Sequence, residues 1–287
     1  IGLLAGLVVL WVGYEKLSDY LPDPDTGVRD PHDMLVAIRR EGEGSTAVLL
    51  SSSGTEEVAP DPKPGATDKE PIWRPDGNRV FLLSDRDEGA FLIHRWNVAK
   101  KEIEVRSLGT RSVTGLSWGP WKETRLDRAL ITQSGFVLEY EPREGTSTQV
   151  LPPTSKSPSQ DSEGGSTGQI EAVYNKIGKS FRSAAWMPDH ESVIALMVTE
   201  DDRQVLIRQG LKPVQNKAGE MVIPQPEVLV VGKRVDYDVS STGDVCAAVM
   251  GYDFLDRESI PKEFIKNGKI TKPLENGVLL LRFAPEV

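Results

Sequence analysis

The pentapeptide Gly115-Leu-Ser-Trp-Gly119 is the strongest pattern in this chain that could carry out chemistry. Its Gly-x-Ser-x-Gly spacing matches a nucleophile elbow, in which a strand enters a helix at the serine and Asp and His partners follow later. Here Pro120 and a further strand pattern follow in place of a helix. His190 is the only later histidine, and it falls in a predicted turn. We therefore interpret this match as a chance one.

Other candidate ligand sites are equally incomplete. Residues 42–47 carry glycines spaced as in a phosphate-binding loop, but that loop opens a helix and a strand pattern follows here. Asp85-Arg-Asp-Glu88 offers carboxylates, whereas Ca²⁺ needs about six oxygens, and an arginine interrupts the set. The histidines are too widely spaced to predict metal ligation. The sequence therefore predicts no catalytic residues, no metal, no cofactor and no enzymatic activity.

Composition excludes one further class of function. The chain has 287 residues and a net charge of −9. An acidic protein is a poor match for nucleic acid, whose phosphates require a basic surface. Cys246 is the single cysteine and cannot form an internal disulfide; its apolar surroundings in sequence predict a small core residue.

A turn element that recurs along the chain organises the remaining sequence. Residues 71–87 predict a strand ending at Trp73, a Pro-Asp-Gly turn and a second apolar strand. Related elements occur around Trp118 and Trp186, and a weaker one at Val239. Their spacing is close to the roughly 40–50 residues of a propeller blade, except where an insertion intervenes.

The repeats predict an all-β fold, namely a β-propeller of about five four-stranded blades, with six as the alternative count. We expect it to span residues 34–287, with insertions at residues 152–180, 211–226 and 253–276. Trp73, Trp118 and Trp186 each precede a predicted turn, and we expect their side chains to pack between neighbouring blades. The first insertion includes a Pro/Ser/Thr/Gly tract that predicts a flexible loop.

The segment from Ile72 to Asp87 resembles the WD40-like repeat of TolB-type β-propellers. That repeat carries Trp-Ser-Pro-Asp-Gly, an apolar strand and Ser-Asp-Arg-Asp. Residues 185–190, Ala-Trp-Met-Pro-Asp-His, are a degenerate second copy, and residues 116–120 are a weaker third. The resemblance covers about residues 34–284 and implies the propeller fold. Because the family includes envelope proteins, sensor ectodomains and accessory domains of peptidases, it implies little about the task.

The N-terminus predicts a membrane anchor. Residues 1–16 are apolar until Glu15, and a helix needs about 20 apolar residues to cross a bilayer, so we expect part of a longer span. A signal-peptide remnant and a buried helix are the alternatives. The expected lipid-facing residues are Leu3, Leu4, Leu7, Val8, Val9, Leu10, Trp11 and Tyr14. Residues 17–33 predict an acidic, proline-rich linker. Because Lys and Arg are sparse there, we expect the propeller on the periplasmic or extracytoplasmic side.

Two insertions carry the predicted partner-binding residues. Residues 258–266 predict a short helical turn, and residues 211–226 predict an extended hairpin. The candidate contacts are Ile260, Phe264, Ile265, Val214, Met221 and Ile223. Such insertions on a rigid scaffold often bind partners, although a lid packed on its own propeller is an equal alternative.

These features together favour a non-enzymatic accessory or scaffold subunit. We expect it to be membrane-anchored and to contact other proteins of an envelope, respiratory or photosynthetic complex. The alternatives are the ligand-binding ectodomain of a membrane sensor and the accessory propeller of a hydrolase.

Overall fold

The computed structural model shows a chain folded almost wholly into antiparallel sheets. It describes residues 34–74, 77–87, 89–105, 113–118, 128–133, 135–141, 146–153, 167–240, 242–255, 260, 265–266, 269–270 and 276–283. The predicted anchor at 1–16 and the linker at 17–33 lie outside these residues. No described helix has the length and apolar character needed to cross a bilayer.

The first three sheets follow one another along the chain, and each is a simple meander. The first sheet contains β1 (Met34–Glu41), β2 (Gly44–Ser51) and β3 (Glu56–Val58). The second contains β4 (Asp68–Trp73), β5 (Arg79–Ser84), β6 (Leu92–Asn97) and β7 (Glu102–Val105). The third contains β8 (Gly115–Trp118), β9 (Ala129–Gln133), β10 (Phe136–Glu141) and β11 (Thr146–Leu151).

The fourth sheet contains six strands. They are β12 (Ser180–Trp186), β13 (Ser192–Val198), β14 (Gln204–Gly210), β17 (Glu227–Val239), β18 (Val245–Asp253) and β21 (Asn276–Leu281), in that order. The described residues thus form four main sheets in a propeller-like arrangement, so the predicted count of five or six blades is wrong. The reason lies in β17, which continues as one strand into the weaker repeat element at Val239 that was predicted to belong to a further blade.

β17 also explains how the fourth sheet curls back on itself. Its first half pairs with β14 and its second half pairs with β18. Tyr237 bonds to Ser183 on β12, although β12 and β17 are three strands apart in the sheet. In a flat sheet that separation would be about 14 Å, because neighbouring strands lie about 4.8 Å apart. Gly232 permits tight packing at the changeover, since a Cβ there would lie 2.7 Å from Val249.

The insertions differ from their predictions in structure. Helix α1 (Thr167–Ile177) occupies part of the first insertion, almost wholly after residues 152–168, for which a flexible loop was predicted. Its Tyr174 is buried and donates a hydrogen bond to Gln209 at 2.8 Å, so tertiary packing stabilises this helix. Two small hairpins occupy the other insertions. These are β15 (Val214–Gln215) with β16 (Met221–Val222), and β19 (Ile265–Lys266) with β20 (Lys269–Ile270).

Apolar clusters join each sheet to the next. One lies between the first and second sheets, one between the second and third, and one between the third and fourth. A fourth cluster joins both halves of the curled sheet. The tryptophans take the positions expected of them: the ring of Trp118 lies 4.9 Å from the ring of Phe81, and Trp186 packs with residues of the third sheet.

The turn Ser84-Asp-Arg-Asp87 fastens the first two sheets together. Arg86 forms a buried ion pair with Asp68 at 2.6 Å and donates to the carbonyl oxygen of Pro60 at 2.8 Å. The Asp68 carboxylate also accepts the backbone N–H of Ala47, on the first sheet, at 3.0 Å. Buried charges require such partners, because an unpaired one loses its hydration without compensation. These charged residues therefore have a structural role.

Replacing Arg86 tests this joint. Arg86→Met leaves the Asp68 carboxylate buried without its cation, and we expect a loss of about 3–5 kcal/mol in unfolding free energy. Lys212→Met is the matched control, because its ion pair with Glu191 is exposed and worth at most about 1 kcal/mol. Denaturant unfolding of both variants measures the difference. Equal losses would show that the buried pair does not hold the joint.

Candidate functional site

A cavity lies where the first strands of three sheets converge on the end of β17. Its volume is about 460 Å³. Its walls come from β4, β8, β12 with the turn that follows it, and the end of β17, and they combine hydroxyls, indoles, aliphatic groups and acidic residues. The lining residues are Glu70, Ile72, Leu116, Ser117, Trp118, Ser183, Ala184, Ala185, Trp186, Pro188, Tyr237, Asp238, Val239 and Ser240. A concave, mixed polar and apolar space of this kind is the usual form of a ligand site.

Glu70 is the most unusual residue of this cavity. Its backbone has a φ of +49°, which is uncommon outside glycine, and it lies within an irregularity of the β4–β5 pairing. The irregularity directs an acidic residue to the cavity, where its carboxylate accepts the backbone N–H of Leu116 at 2.8 Å. Glu70 is exposed, and solvent reaches its carboxylate through the cavity.

The surroundings of Glu70 set its protonation. Desolvation by the cavity walls raises its pKa, while the Leu116 hydrogen bond and the charges of Lys69 and Arg182 oppose the rise. Lys69 is itself held elsewhere, with Nζ 3.6 Å from the centre of the Phe91 ring. Desolvation lowers the pKa of that lysine. Glu70 is thus a carboxylate that lacks a direct ion pair among the described residues.

Hydroxyl groups occupy the remaining polar positions. Tyr237 bonds to Ser183, and burial raises the pKa of Tyr237, so it stays neutral. Ser117 donates a hydrogen bond to the carbonyl oxygen of Ala184. The serine of the Gly-x-Ser-x-Gly match therefore lines the cavity, but its proton is directed to a backbone carbonyl. Gly115 in the same match serves packing, because a Cβ there would lie 2.6 Å from the Arg182 carbonyl oxygen.

The structure does not gather the predicted partner-binding residues into one surface. Val214 and Met221 are exposed on the β15–β16 hairpin, but Val214 pairs with Val222 and Met221 with Gln215, so the two side chains lie on opposite faces. Ile223 is partly buried and packs against the core between the third and fourth sheets. Ile223 therefore packs on its own fold, and its role in partner binding stays a prediction.

The predicted contact segment at residues 258–266 does not have the predicted secondary structure. Ile265 belongs to a two-residue strand rather than to a helical turn, and Ile260 is half-buried. Phe264 lies outside the described residues.

An apolar surface on the last two strands was not predicted. We call it the outer face, defined by Cys246, Ala248 and Met250 on β18 with Val278 and Leu280 on β21. Leu280 pairs with Cys246, and Val278 pairs with Ala248, so these side chains are contiguous. Val278 is 70% exposed, and Met250 and Leu280 are each 55% exposed. Cys246, expected in the core, is exposed on this face. The side chains of a strand alternate between its two faces, and applying this period of two along β18 and β21 could have predicted the outer face.

Comparisons with solved structures agree with the propeller arrangement. Similar chains include TolB from Acinetobacter baumannii, with 13% identity and a TM-score of 0.45 over 77% of this chain and 49% of that one. Hydrazine synthase from Kuenenia stuttgartiensis has 11% identity and a TM-score of 0.51 over 88% and 60%. A luciferin-regenerating enzyme has 12% identity and a TM-score of 0.47 over 91% and 75%. No family model and no curated protein matches.

The fold is a propeller. The chain spans about half, 49%, of the length of the TolB chain. The prediction of no enzymatic activity, made from the lack of a catalytic motif, is wrong, because enzymes are among the similar structures. At 11–13% identity these likenesses concern the fold alone and transfer no activity to this chain.

The raised pKa of Glu70 predicts a pH dependence of stability. The folded state holds this proton more tightly than the unfolded chain, whose Glu pKa is 4.5. Stability linked to Glu70 therefore falls as pH rises from 4.5 through the raised value, and the penalty is complete above it. Relative to Glu70→Gln, the wild type should gain stability on acidification from neutral pH to pH 4.5.

Denaturant unfolding of both proteins across this pH range measures the effect. The amide of Glu70→Gln retains an oxygen that can accept the Leu116 N–H. Glu227→Gln, at the start of β17, is the matched control for loss of an acidic group. Parallel stability curves for the wild type and Glu70→Gln would contradict the expected coupling.

Proposed function

We propose that this chain is a TolB-like accessory propeller of a larger membrane-associated assembly, and that the outer face binds a partner subunit. The observation that carries the proposal is the exposed apolar surface of β18 and β21. A contiguous apolar patch on a protein surface is typical of an interaction site. Its burial is worth about 25 cal/mol per Å² of apolar area, so even a modest patch contributes measurably to binding.

The position of this face favours a protein partner. β21 pairs with β18 on one side, and among the described strands it has no neighbour on the other. An edge strand offers unpaired backbone groups to an incoming strand, while the adjacent apolar side chains give the contact its energy. Elsewhere in the fold, faces of this composition are covered by the next sheet. A partner that supplies an apolar sheet or strand therefore matches both features.

Localisation forms part of the same proposal. Residues 1–16 would anchor the chain in a bilayer, with the propeller on the extracytoplasmic side. An extended proline-rich linker gains about 3.1 Å per residue, so residues 17–33 would hold the propeller roughly 50 Å from the membrane. A distance of this size is compatible with a subunit that contacts the extramembrane part of a membrane complex. The alternative of a sensor ectodomain draws its support from the central cavity instead.

Site-specific crosslinking tests the partner surface. With a photoreactive residue at Val278 of the full chain in its native membrane, we expect one reproducible crosslinked subunit. Adding Leu280→Glu puts a charge into the apolar contact and should reduce the crosslinked yield about tenfold. The same photoreactive residue at Val105, which is exposed on the edge strand β7, is the matched control and should give no such product.

Three results would contradict the proposal. The first is a crosslink from position 278 to a second copy of this chain alone, and the second is an equal yield from position 105. The third is recovery of the protein from mild detergent only as a free monomer.

A further inference from the structure

We propose that His94 makes the joint between the first and second sheets sensitive to acid, so that protonation of its imidazole releases the first sheet from the rest of the fold. The joint consists of the contacts that Asp68 and Arg86 make with the first sheet and with the loop that follows it. This inference concerns an internal interface and not the outer face. It does not depend on the accessory role proposed above, and either can fail without the other.

His94 lies on the face of the second sheet that packs against the first. On β5 it pairs with Leu82, a member of the apolar cluster between these two sheets. Only 1% of His94 is exposed. Its Nε2 has no hydrogen-bond partner among the described residues and lies 3.8 Å from the Asp87 carboxylate. The neutral imidazole is therefore favoured in the closed joint, because a charged one would lose its hydration without a hydrogen bond in return.

The charged groups that act on His94 come from the turn after β5, from β4 and from the loop before β4. The Arg86 guanidinium and the Lys63 ammonium oppose a positive charge on His94, whereas the carboxylates of Asp87 and Asp68 favour one. Both carboxylates already have cationic partners. Asp68 binds Arg86 at 2.6 Å, and Asp87 binds Lys63 at 2.8 Å. A protonated His94 would thus add a cation to a cluster whose charges are already paired.

The other elements around His94 bring no charged side chain to it among the described residues. Arg95, the next residue on β6, lies on the opposite face of the sheet and pairs with Glu104 of β7 at 2.6 Å. On β7, the residue opposite His94 is Val105. The first sheet contributes apolar residues to the shared cluster, namely Ala47, Leu49 and Ala59. The charge of His94 is therefore decided within the joint itself.

The sign of the pH dependence follows from these surroundings. Desolvation, followed by the Arg86 charge, lowers the pKa of His94 below its ordinary value of 6.5. An open state that exposes His94 to water therefore binds more protons than the closed state between pH 6.5 and the lowered value. By linkage, acid favours the open state across this range, and the shift is complete below the lowered pKa. Asp87 stays ionised there, because the hydrogen bond from Lys63 lowers its pKa.

The first sheet is the part of the fold that acid would release. Its described residues contribute to one apolar cluster, whereas the second and third sheets each contribute to two. Its polar contacts with the second sheet centre on the same charged cluster, through the Asp68 carboxylate and through Arg86, which donates to the carbonyl oxygen of Pro60. Protonation of His94 beside Arg86 thus acts where this sheet is held.

Hydrogen exchange of backbone amides measures the opening of the joint. The amides of Ala47 and Ser45 cross it, because they donate to the Asp68 carboxylate and to the Ala66 carbonyl oxygen, each at 3.0 Å. Exchange rates are first corrected for the intrinsic pH dependence of amide exchange. We then expect the opening constant at both amides to rise by up to about tenfold per pH unit as pH falls from 6.5 to the pKa of His94.

Two variants and one distant amide make the measurement specific. His94→Gln removes the titrating group and should abolish the acid-dependent rise. His190→Gln is the matched control, because it removes a histidine from the turn after β12, outside the joint, and it should leave the rise unchanged. The amide of Lys179 donates to Val198 in the fourth sheet at 2.8 Å. Its protection should not change with acid, which distinguishes local release from global unfolding.

NMR titration of the His94 imidazole in the wild type keeps the test valid if His94→Gln fails to fold. We expect it to titrate below pH 6.5, and a value at or above 6.5 overturns the proposal. The proposal is also overturned if the wild type and His94→Gln share one pH dependence at Ala47, or if Lys179 loses protection together with Ala47. The linkage of Glu70 has the opposite sign, but its carboxylate contacts the third sheet and not this joint.

Discussion

The whole structure depends on the need to cover both faces of each sheet. The second strands of successive sheets show this most clearly, since β9 is buried at every residue and β13 at all but its last. Such strands cannot exist at a protein surface, because both of their faces are apolar. The second and third sheets therefore pack between two neighbours, and a radial series of sheets satisfies that need. β18 has the opposite pattern, in which buried and exposed residues alternate over its first six positions. It is a strand with a neighbour on one face only.

Polar contacts near the centre hold these layers in register. Glu70 on β4 accepts from Leu116 on β8, Ser117 on β8 donates to Ala184 on β12, and Tyr237 on β17 bonds to Ser183 on β12. Each contact joins a different pair of central strands by one side chain. A single hydrogen bond contributes about 1 kcal/mol, so these contacts matter more for alignment than for total stability. The cavity is the space that these contacts leave open.

The positions of strands and turns could be predicted from sequence, whereas the pairing and packing of segments distant in sequence could not. Strand positions followed from apolar runs between turns, and the packing of Trp118 and Trp186 followed from their place before those turns. The blade count failed at residues 227–239, where Gly232 was compatible with a turn and instead permits tight packing of a continuous strand. Helix α1 was missed because its stability comes from Tyr174 and Ile177 in a distant core.

The site was harder to predict than the fold. Nothing in the order Lys69-Glu70-Pro71 signals a backbone at positive φ, and the position of Glu70 in the cavity depends on that conformation. The placement of the predicted contact residues also depends on backbone conformation. Val214, Met221 and Ile223 were grouped by hydrophobicity alone, but hairpin pairing puts them on different sides. Apolar residues define a surface only once the strand register is known.

The central cavity and the outer face both involve the second half of β17. The second half of β17 curls over β12, and its Tyr237 and Asp238 complete the cavity wall. The same half pairs with β18 and so sets the position of β21, the strand that ends the sheet. A regular blade boundary would have placed a loop near Gly232 and separated these elements. Because the strand is continuous, the cavity and the outer face lie on opposite faces of one backbone segment.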